Sequence, residues 1–142
     1  MTNLGIRCAL LLAISVAASA CGTAEFTRKP TAPGQALIYV YRQSHMLGGM
    51  INGAVTLTGP NGFNRSFPLR NNKNVATIGP AGHYALTVAG AWGKIIANNQ
   101  PIEAPDGSAI FVRCEFFDRC VIVPETQGGP EVADTKENVA GD

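Results

Sequence analysis

The sequence predicts an all-β protein, a small antiparallel β-sandwich of seven to eight strands that follows a cleaved export signal. Short apolar or alternating runs are separated by Gly, Pro and Asn, which is the pattern of strands joined by tight turns. No stretch after the signal has a sustained helical period. The turn spacing fits an antiparallel sandwich, and a partly open barrel is the alternative architecture.

Residues 1–20 have the three parts of an export signal. Arg7 supplies the positive charge, residues 8–18 form an apolar segment too short to span a bilayer, and residues 18–20 are a small-residue cleavage site. Signals of this kind are removed from the mature protein. These residues are therefore excluded from the fold.

Cys21 directly follows the cleavage site, and Ala-Ser-Ala-Cys resembles the lipobox of bacterial lipoproteins. In that motif the cysteine is diacylated, cleavage follows on its amino side, and the new amino group is acylated. Because two acyl chains hold a protein stably on a bilayer, the resemblance implies a permanent membrane anchor at Cys21. The alternative is ordinary secretory cleavage with a free Cys21 thiol, since Ala18 stands where the lipobox more often has Leu.

The residue after the cysteine bears on the location. Position 22 is Gly, whereas lipoproteins held at the inner membrane usually have Asp there. In a cell with two membranes, we therefore expect a cell-envelope protein on the outer membrane that faces the periplasm. The expected partners are the membrane, through acylated Cys21, and other envelope proteins.

Residues 21–34 are expected to be the lipidated cysteine and a flexible tether. They are rich in Thr, Pro and Gly and lack a periodic apolar pattern, which is typical of linkers. Fully extended, the 13 residues after Cys21 would reach about 40 Å. The sequence thus predicts a domain held away from the bilayer.

Cleavage leaves 122 of the 142 residues, enough for one small core, which we place in residues 35–124. Residues 22–124 have a net charge of +4 and residues 125–142 one of −4. This balance predicts no nucleic-acid partner. We expect residues 125–142 to be an acidic disordered tail whose removal leaves thermal stability nearly unchanged.

Seven runs in the domain predict strands. Residues 37–41 are apolar on both faces and should form a central strand. Val55 and Leu57 alternate with threonines, and an Asn-Gly turn then leads into residues 63–69. The other predicted strands are residues 75–78, 84–89, 109–114 and 120–123.

Two of the four cysteines, Cys114 and Cys120, remain once one leaves with the signal and one takes the lipid. The export signal implies an oxidising compartment, so the pair predicts a disulfide. In a hairpin with the cysteines opposite each other, Val112 faces Ile122, and cross-strand Cβ atoms are close enough for the bond. The alternative, a free redox pair, is more often spaced Cys-x-x-Cys.

Three segments resemble an uncharacterised family of small bacterial envelope lipoproteins. They are Ile-Tyr-Val-Tyr-Arg at 38–42, Gly-Pro-Ala-Gly-His-Tyr at 79–84 and Gly-Ser-Ala-Ile-Phe-Val-Arg at 107–113. That family has a Tyr-Val-Tyr-Arg first strand, a Pro-Gly turn into an aromatic strand, and a late Gly before another aromatic strand. The likeness spans about residues 36–123 and implies an envelope β-sandwich without an assigned activity.

The mature chain lacks the sequence motifs of hydrolytic or phosphate-binding sites, such as Gly-x-Ser-x-Gly and His-Glu-x-x-His. Its histidines are His45 and His83, and His83 should face solvent after a turn. The acids of the domain include Asp106 in a turn, and Glu115 and Asp118 at a hairpin tip. We therefore predict a protein that is not an enzyme and uses no cofactor and no metal.

The loop of residues 43–53 gathers apolar side chains around a Gly-Gly pair. Met46 and Met50, with His45 beside them, are candidate partner contacts, because Met-rich surfaces adapt to partners. A second interpretation is a soft metal site in which the same side chains bind reduced copper. The alternative to both is a loop that crosses between the sheets and packs its side chains inward.

Three aromatic residues are further candidate contacts. Phe116 and Phe117 lie at the tip of the disulfide hairpin and would form a rigid apolar knob there, unless one of them folds back onto the sandwich. Trp92, close to two glycines, fits either a core position or an exposed binding aromatic.

These observations support three hypotheses for the function. The first is a non-catalytic, lipid-anchored protein that binds or scaffolds other envelope components, with residues 43–53 and 116–117 as contacts. The second is an assembly lipoprotein of an envelope secretion or transport machine, which this chain resembles in size, anchor and fold. The third is a small enzyme or glycan-acting protein.

Overall fold

The fold is a sandwich of two β-sheets with a helix on its outside. The computed structural model describes residues 24–45, 52–115 and 119–138. Within them the elements are β1 (Gln35–Arg42), β2 (Gly53–Thr58), β3 (Asn64–Leu69), β4 (Lys73–Pro80), β5 (Gly82–Ala89), β6 (Ile95–Ala104), β7 (Ala109–Cys114), β8 (Cys120–Val123), α1 (Glu125–Ala133) and β9 (Lys136–Glu137).

The first sheet has the strand order β8-β7-β1-β4-β9 and the second has β3-β2-β5-β6. All neighbours in the second sheet are antiparallel. In the first sheet, β1 runs antiparallel to β4 but parallel to β7, and β9 runs parallel to β4. The predicted β-sandwich is confirmed, and β1 is central as expected. Each of the seven predicted runs coincides with a strand, although β3 begins one residue later than predicted. The described residues form nine strands, where seven to eight were expected.

Strand β6 was not among the predicted runs. Its sequence contains two adjacent asparagines and Pro101, which weaken a strand pattern. The structure places β6 at an edge, where proline is tolerated because its missing N–H faces outward. Asn99 has a φ of 47° beside a register shift in the pairing with β5. The bulge and the proline also blunt this edge against pairing with another chain.

Strand directions bring several loops to one end of the sandwich. Arg42 and Lys73 are paired at the last residue of β1 and the first of β4. A three-residue turn links Lys73 back to Leu69, which pairs with Gly53. The turn between β5 and β6 lies at the same end, and so do residues 115 and 119, which follow β7 and precede β8. We call it the loop end; its described residues are 43–45, 52, 70–72, 90–94, 115, 119 and 134–135.

The main core lies between the sheets. Its side chains come from the inward face of each strand, including Ile38 and Val40 of β1 and Leu86 and Val88 of β5. At the end opposite the loop end, the Tyr84 hydroxyl donates a hydrogen bond to the Pro80 carbonyl at 2.5 Å. The other main-core residues include Val55, Leu57, Ile102 and Val112.

A close approach at the Tyr84 ring explains one glycine. A Cβ on Gly59 would lie 2.2 Å from the Tyr84 ring. The chain also turns tightly after Gly59, because the Gly59 N–H donates a hydrogen bond to the Phe63 carbonyl at 2.8 Å. The Phe63 ring packs edge-on against Tyr84 at a centroid separation of 5.4 Å. This corner of the sandwich therefore depends on the missing side chain at position 59.

A second apolar cluster lies on the outer face of the five-stranded sheet, and it corrects the expectation of a disordered tail. Leu37, Tyr39, Tyr41 and Phe111 are at most 3% exposed there. Helix α1 covers them with Val132 and with Gly128 and Gly129, which are buried. Because β1 is apolar on both faces, its outer face needs a cover, and residues 125–137 supply it.

The expectation of a flexible tether through residue 34 is also wrong for the described residues. The Phe26 ring packs edge-on against Tyr39 and Phe111, with centroid separations of 5.6 and 5.5 Å. Arg28 donates to the Glu125 carboxylate, with its closest N–O distance at 2.7 Å, and Lys29 pairs with Glu137. The tether pattern missed this because one aromatic and two cations hold the segment.

The predicted disulfide is present between Cys114 and Cys120. The two residues are directly opposite in the β7–β8 hairpin, and Val112 pairs with Ile122 as expected. Both cysteines are buried against the core between the sheets. The bond therefore joins the two strands just below the hairpin tip.

Replacement of both cysteines by alanine should lower the free energy of unfolding by about 2 kcal/mol, the loop-entropy value for so short a ring. Denaturant unfolding of the double variant and the wild-type domain measures the difference. Non-reducing mass spectrometry of the wild type should show the two cysteine peptides joined. An equally stable double variant would mean that the bond contributes nothing beyond the hairpin itself.

Candidate interaction surface

The loop end carries every candidate partner contact that the structure describes. His45 follows β1 and Trp92 lies in the β5–β6 hairpin, so residues 47 positions apart in sequence share one end of the sandwich. Four other candidates, Met46, Met50, Phe116 and Phe117, lie outside the described residues, as does Cys21. The described residues that flank those four belong to the loop end.

Trp92 is an exposed aromatic at the tip of the β5–β6 hairpin. Its relative exposure is 89%, so the alternative of a core position is excluded. Its φ of 53° is rare for a bulky residue and is typical of a tight turn. The Gly90 N–H closes the turn by donating to the Lys94 carbonyl at 2.7 Å. Ile95, the first residue of β6, is 52% exposed beside it.

His45 borders a polar hollow of about 320 Å³ between the end of β1 and the end of α1. The Asn71 side chain binds both polar groups of the His45 backbone. Its Oδ1 accepts a hydrogen bond from the His45 N–H at 3.1 Å, and its Nδ2 donates one to the His45 carbonyl at 3.4 Å. The imidazole is exposed. The hollow is lined by Gln43, Ser44, His45, Asn72, Glu131, Asp134 and Thr135.

The described residues do not form a metal site at the polar hollow. Across residues 24–45, 52–115 and 119–138, no three His, Cys, Asp or Glu side chains are grouped as a metal site would require. The soft metal interpretation of the loop depends on Met46 and Met50, which lie outside these ranges. His83, the second histidine, is exposed near the opposite end of the sandwich, as expected.

Below the hollow, a partly buried polar cluster joins α1 to the sheet. Glu131 accepts hydrogen bonds from the Tyr41 hydroxyl, from Arg113 at 2.9 Å and from Gln127 at 3.0 Å. Tyr41 and Arg113 are paired residues of the parallel strands β1 and β7, so their side chains share the outer face. The Arg113 guanidinium also lies 3.5 Å from the Glu115 carboxylate.

Two pKa values reflect this cluster. Burial raises the pKa of Tyr41, and the hydrogen bond to the Glu131 carboxylate and its negative charge raise it further. Burial alone would raise the pKa of Glu131. The hydrogen bonds from Tyr41 and Gln127 and the charge of Arg113 outweigh it and hold that pKa below the ordinary 4.5. At neutral pH the cluster is therefore a carboxylate held by a neutral phenol and a cation.

Because of this cluster, the stability of the domain should fall at both acid and alkaline pH. Glu131 has a lowered folded pKa, so its contribution is present above 4.5 and is lost as the pH falls through the folded value. Tyr41 has a raised folded pKa, so stability is full below 10.0 and declines as the pH rises above it. Thermal unfolding over the acid and alkaline ranges measures both effects.

Glu131→Gln should flatten the acid limb of that profile, and Tyr41→Phe should flatten the alkaline limb. The matched control is Glu103→Gln, since Glu103 is an exposed carboxylate on β6, far from α1. The control should keep the acid limb of the wild type. An acid limb that persists unchanged in Glu131→Gln would assign it to other groups.

Arg42 is a charged residue that no sequence pattern predicts in the interior. It is 2% exposed at the loop end of β1, on the same face as Val40 and Ile38. Burial lowers the pKa of its guanidinium. The core between the sheets is therefore closed at the loop end by a cation.

The Tyr41, Arg113 and Glu131 cluster was missed because Glu131 was assigned to a solvated tail. A sequence signal for it exists in the strands. Arg113 and Val112 lie on opposite faces of a strand that pairs with the central strand. With Val112 in the core, the Arg113 guanidinium would lie on the outer face, which must also be covered. A buried cation needs an anionic partner, and the nearby acids of residues 125–142 could have been proposed.

No protein-family model, curated protein or solved structure matches this chain. The resemblance to small envelope lipoproteins therefore stays a prediction. In the described part of the chain, no helix has the length and hydropathy that a membrane crossing requires.

Proposed function

We propose that this protein is a lipid-anchored component of the bacterial cell envelope with a non-catalytic binding or scaffolding role, and that the loop end is its binding surface. The signal and lipobox pattern of residues 1–21 support the anchor. The observation that carries the binding role is that His45 and the exposed Trp92 lie at the same end of the sandwich. Loops held by a rigid sheet scaffold are where binding residues usually lie.

The structural contacts that several ionisable side chains make support a non-catalytic role. Glu131 and Arg113, with Tyr41, fasten α1 to the sheet. Arg28 and Glu125 fasten the amino-terminal segment. Asp106 accepts a hydrogen bond from the Gly34 N–H at 2.8 Å and so closes the end opposite the loop end. Each of these charged groups thus has a structural contact that explains it.

The test is site-specific crosslinking in whole cells. A photoreactive residue is placed at His45 or at Trp92, and the matched control carries it at Thr58, which is exposed at the other end of β2. The proposal predicts recurrent adducts with envelope components from the loop end and few from Thr58. Equal, unspecific labelling from all three positions would contradict a binding surface at the loop end.

The same experiment separates the alternatives. A stoichiometric set of proteins captured as one large complex would identify an assembly lipoprotein of a secretion or transport machine. Capture of glycan fragments by His45, which borders the polar hollow, would move the assignment to a glycan-acting protein. Each outcome would identify a different class of partner for the loop end.

A further inference from the structure

The amino-terminal segment runs along α1 toward the loop end. Arg28 contacts Glu125 at the start of the helix and the Gly107 carbonyl, at 3.1 Å, at the end opposite the loop end. Phe26 lies against Gly129, in the middle of the helix, where a Cβ would meet its ring at 2.9 Å. Going backward along the chain, the segment therefore approaches the end of α1 that belongs to the loop end.

Ala24, the first described residue, continues this course. It lines a hollow of about 230 Å³ together with Ala133 at the end of α1, Thr135 just after the helix, and Asn74 near the start of β4. Asn74 pairs with Tyr41, one residue before the end of β1. The chain thus leaves the described domain close to the loop end.

This exit point sets how far the domain can stand from its anchor. Only residues 22 and 23 separate Ala24 from Cys21. At about 3.3 to 3.6 Å per residue, Cys21 lies within roughly 11 Å of Ala24. An acylated Cys21 would therefore hold the exit point at the membrane surface instead of some 40 Å above it.

The chemistry of the described loop end suits a lipid surface. Trp92 is 89% exposed and Ile95 is 52% exposed on one hairpin. Tryptophan is enriched where membrane hydrocarbon meets water, since its ring is apolar and its N–H is polar. Lys94, on the same hairpin, is exposed, as is Arg119 on the neighbouring one. Lysine and arginine near a membrane are attracted to anionic headgroups.

We propose that the loop end rests on the bilayer that holds the acyl chains of Cys21, with Trp92 and Ile95 at the level of the headgroups. The proposal rests on the lipid anchor of the proposed function and names the partner of the same surface as a lipid membrane. The strands then stand along the membrane normal. The opposite end, with its Pro105-Asp106-Gly107 turn, then points away from the membrane.

Trp92 is the only tryptophan in the chain, so its fluorescence reports on this contact without labelling. The acylated protein is reconstituted into vesicles of phosphatidylethanolamine and phosphatidylglycerol and compared with the unlipidated Cys21→Ser protein in buffer. We expect emission at shorter wavelength, a several-fold loss of iodide quenching, and quenching by lipids that carry bromine near the headgroup. Unchanged emission with full iodide access would overturn the proposal.

A relocated tryptophan provides the control. In Trp92→Ser/Thr58→Trp the reporter lies at the opposite end of the four-stranded sheet. Its emission and iodide access should be the same on vesicles and in buffer. A shift equal to that of the wild type would show that the domain lies on its side or has no fixed orientation, and it would also overturn the proposal.

Vesicle flotation keeps this test separate from the test of the anchor. Acylated protein that floats with vesicles while Trp92 stays in water leaves the lipid anchor intact and refutes the membrane-facing loop end. Purified native protein that carries no acyl chain and does not float refutes the anchor itself. Mass spectrometry of the amino-terminal peptide identifies the acyl chains before either measurement.

Discussion

Truncation of the chain after Pro124 should leave the domain unfolded or barely folded. The truncated chain loses α1 and β9, and the outer face of the five-stranded sheet is then open to water. Tyr39 and Phe111, which are 3% and 0% exposed, would lose their cover from Val132 and the helix backbone. Exposure of two such side chains costs about 3 to 6 kcal/mol.

That loss is large against the stability of a small domain, which is about 5 to 15 kcal/mol. The truncation also removes the carboxylate of Glu131, which leaves the Tyr41 hydroxyl and the Arg113 guanidinium without the partner they now have. Unsatisfied buried polar groups add to the cost. The same deletion was expected to be neutral from sequence, so its effect discriminates between a disordered tail and a packed one.

The measurement is denaturant or thermal unfolding of residues 22–142, with and without residues 125–142. The matched control ends at Asn138 and keeps α1 and β9; it should be as stable as the full chain. A milder test is Gly128→Val, because a Cβ at Gly128 would lie 2.5 Å from the Phe111 Cβ and force the helix away. A truncated domain with unchanged stability would mean that α1 does not contribute to folding.

The sheet could be predicted from sequence because its signals are local. Residues 37–41 are apolar on both faces, and this pattern correctly predicted a central strand. The period of two fixed which residues face each other beside Cys114 and Cys120. Both predictions require only neighbours along the chain or across one hairpin.

The helix could not be predicted because its formation depends on the sheet beneath it. Its sequence contains Gly128, Gly129 and Pro130, which are poor helix formers. The two glycines are buried, and they let the helix backbone approach Phe111 and Phe26 closely. The same residues indicate disorder when the chain is considered alone. The central strand, apolar on both faces, was the available sign that a cover must exist.

The candidate surface required strand directions. His45 and Trp92 have no sequence relation, and they share an end because β1 and β5 run in the same direction between the two sheets. The exposure of Trp92 follows from its place in a turn between Gly90 and Gly93. Sequence patterns identify the residues as unusual, and only the topology brings them together.

Cys21→Ser should move the protein entirely from the membrane fraction to the soluble fraction of the envelope. Under the proposed function, the acyl chains on Cys21 are the stable attachment, since a triacylated cysteine holds a protein far more firmly than one exposed hairpin can. The domain itself should be unaffected, because the described fold begins after position 21 and its disulfide uses Cys114 and Cys120. Fractionation and flotation of the variant measure the loss.

Two control variants isolate the role of the thiol at position 21. Cys8→Ser changes a cysteine inside the predicted signal, and the protein should stay on the membrane. Replacement of Cys114 and Cys120 by alanine removes the disulfide and should also leave the attachment intact. If Cys21→Ser still floats with vesicles, the exposed Trp92 hairpin and the nearby cations become the candidates for attachment, because they would then hold the domain on the bilayer without an acyl chain.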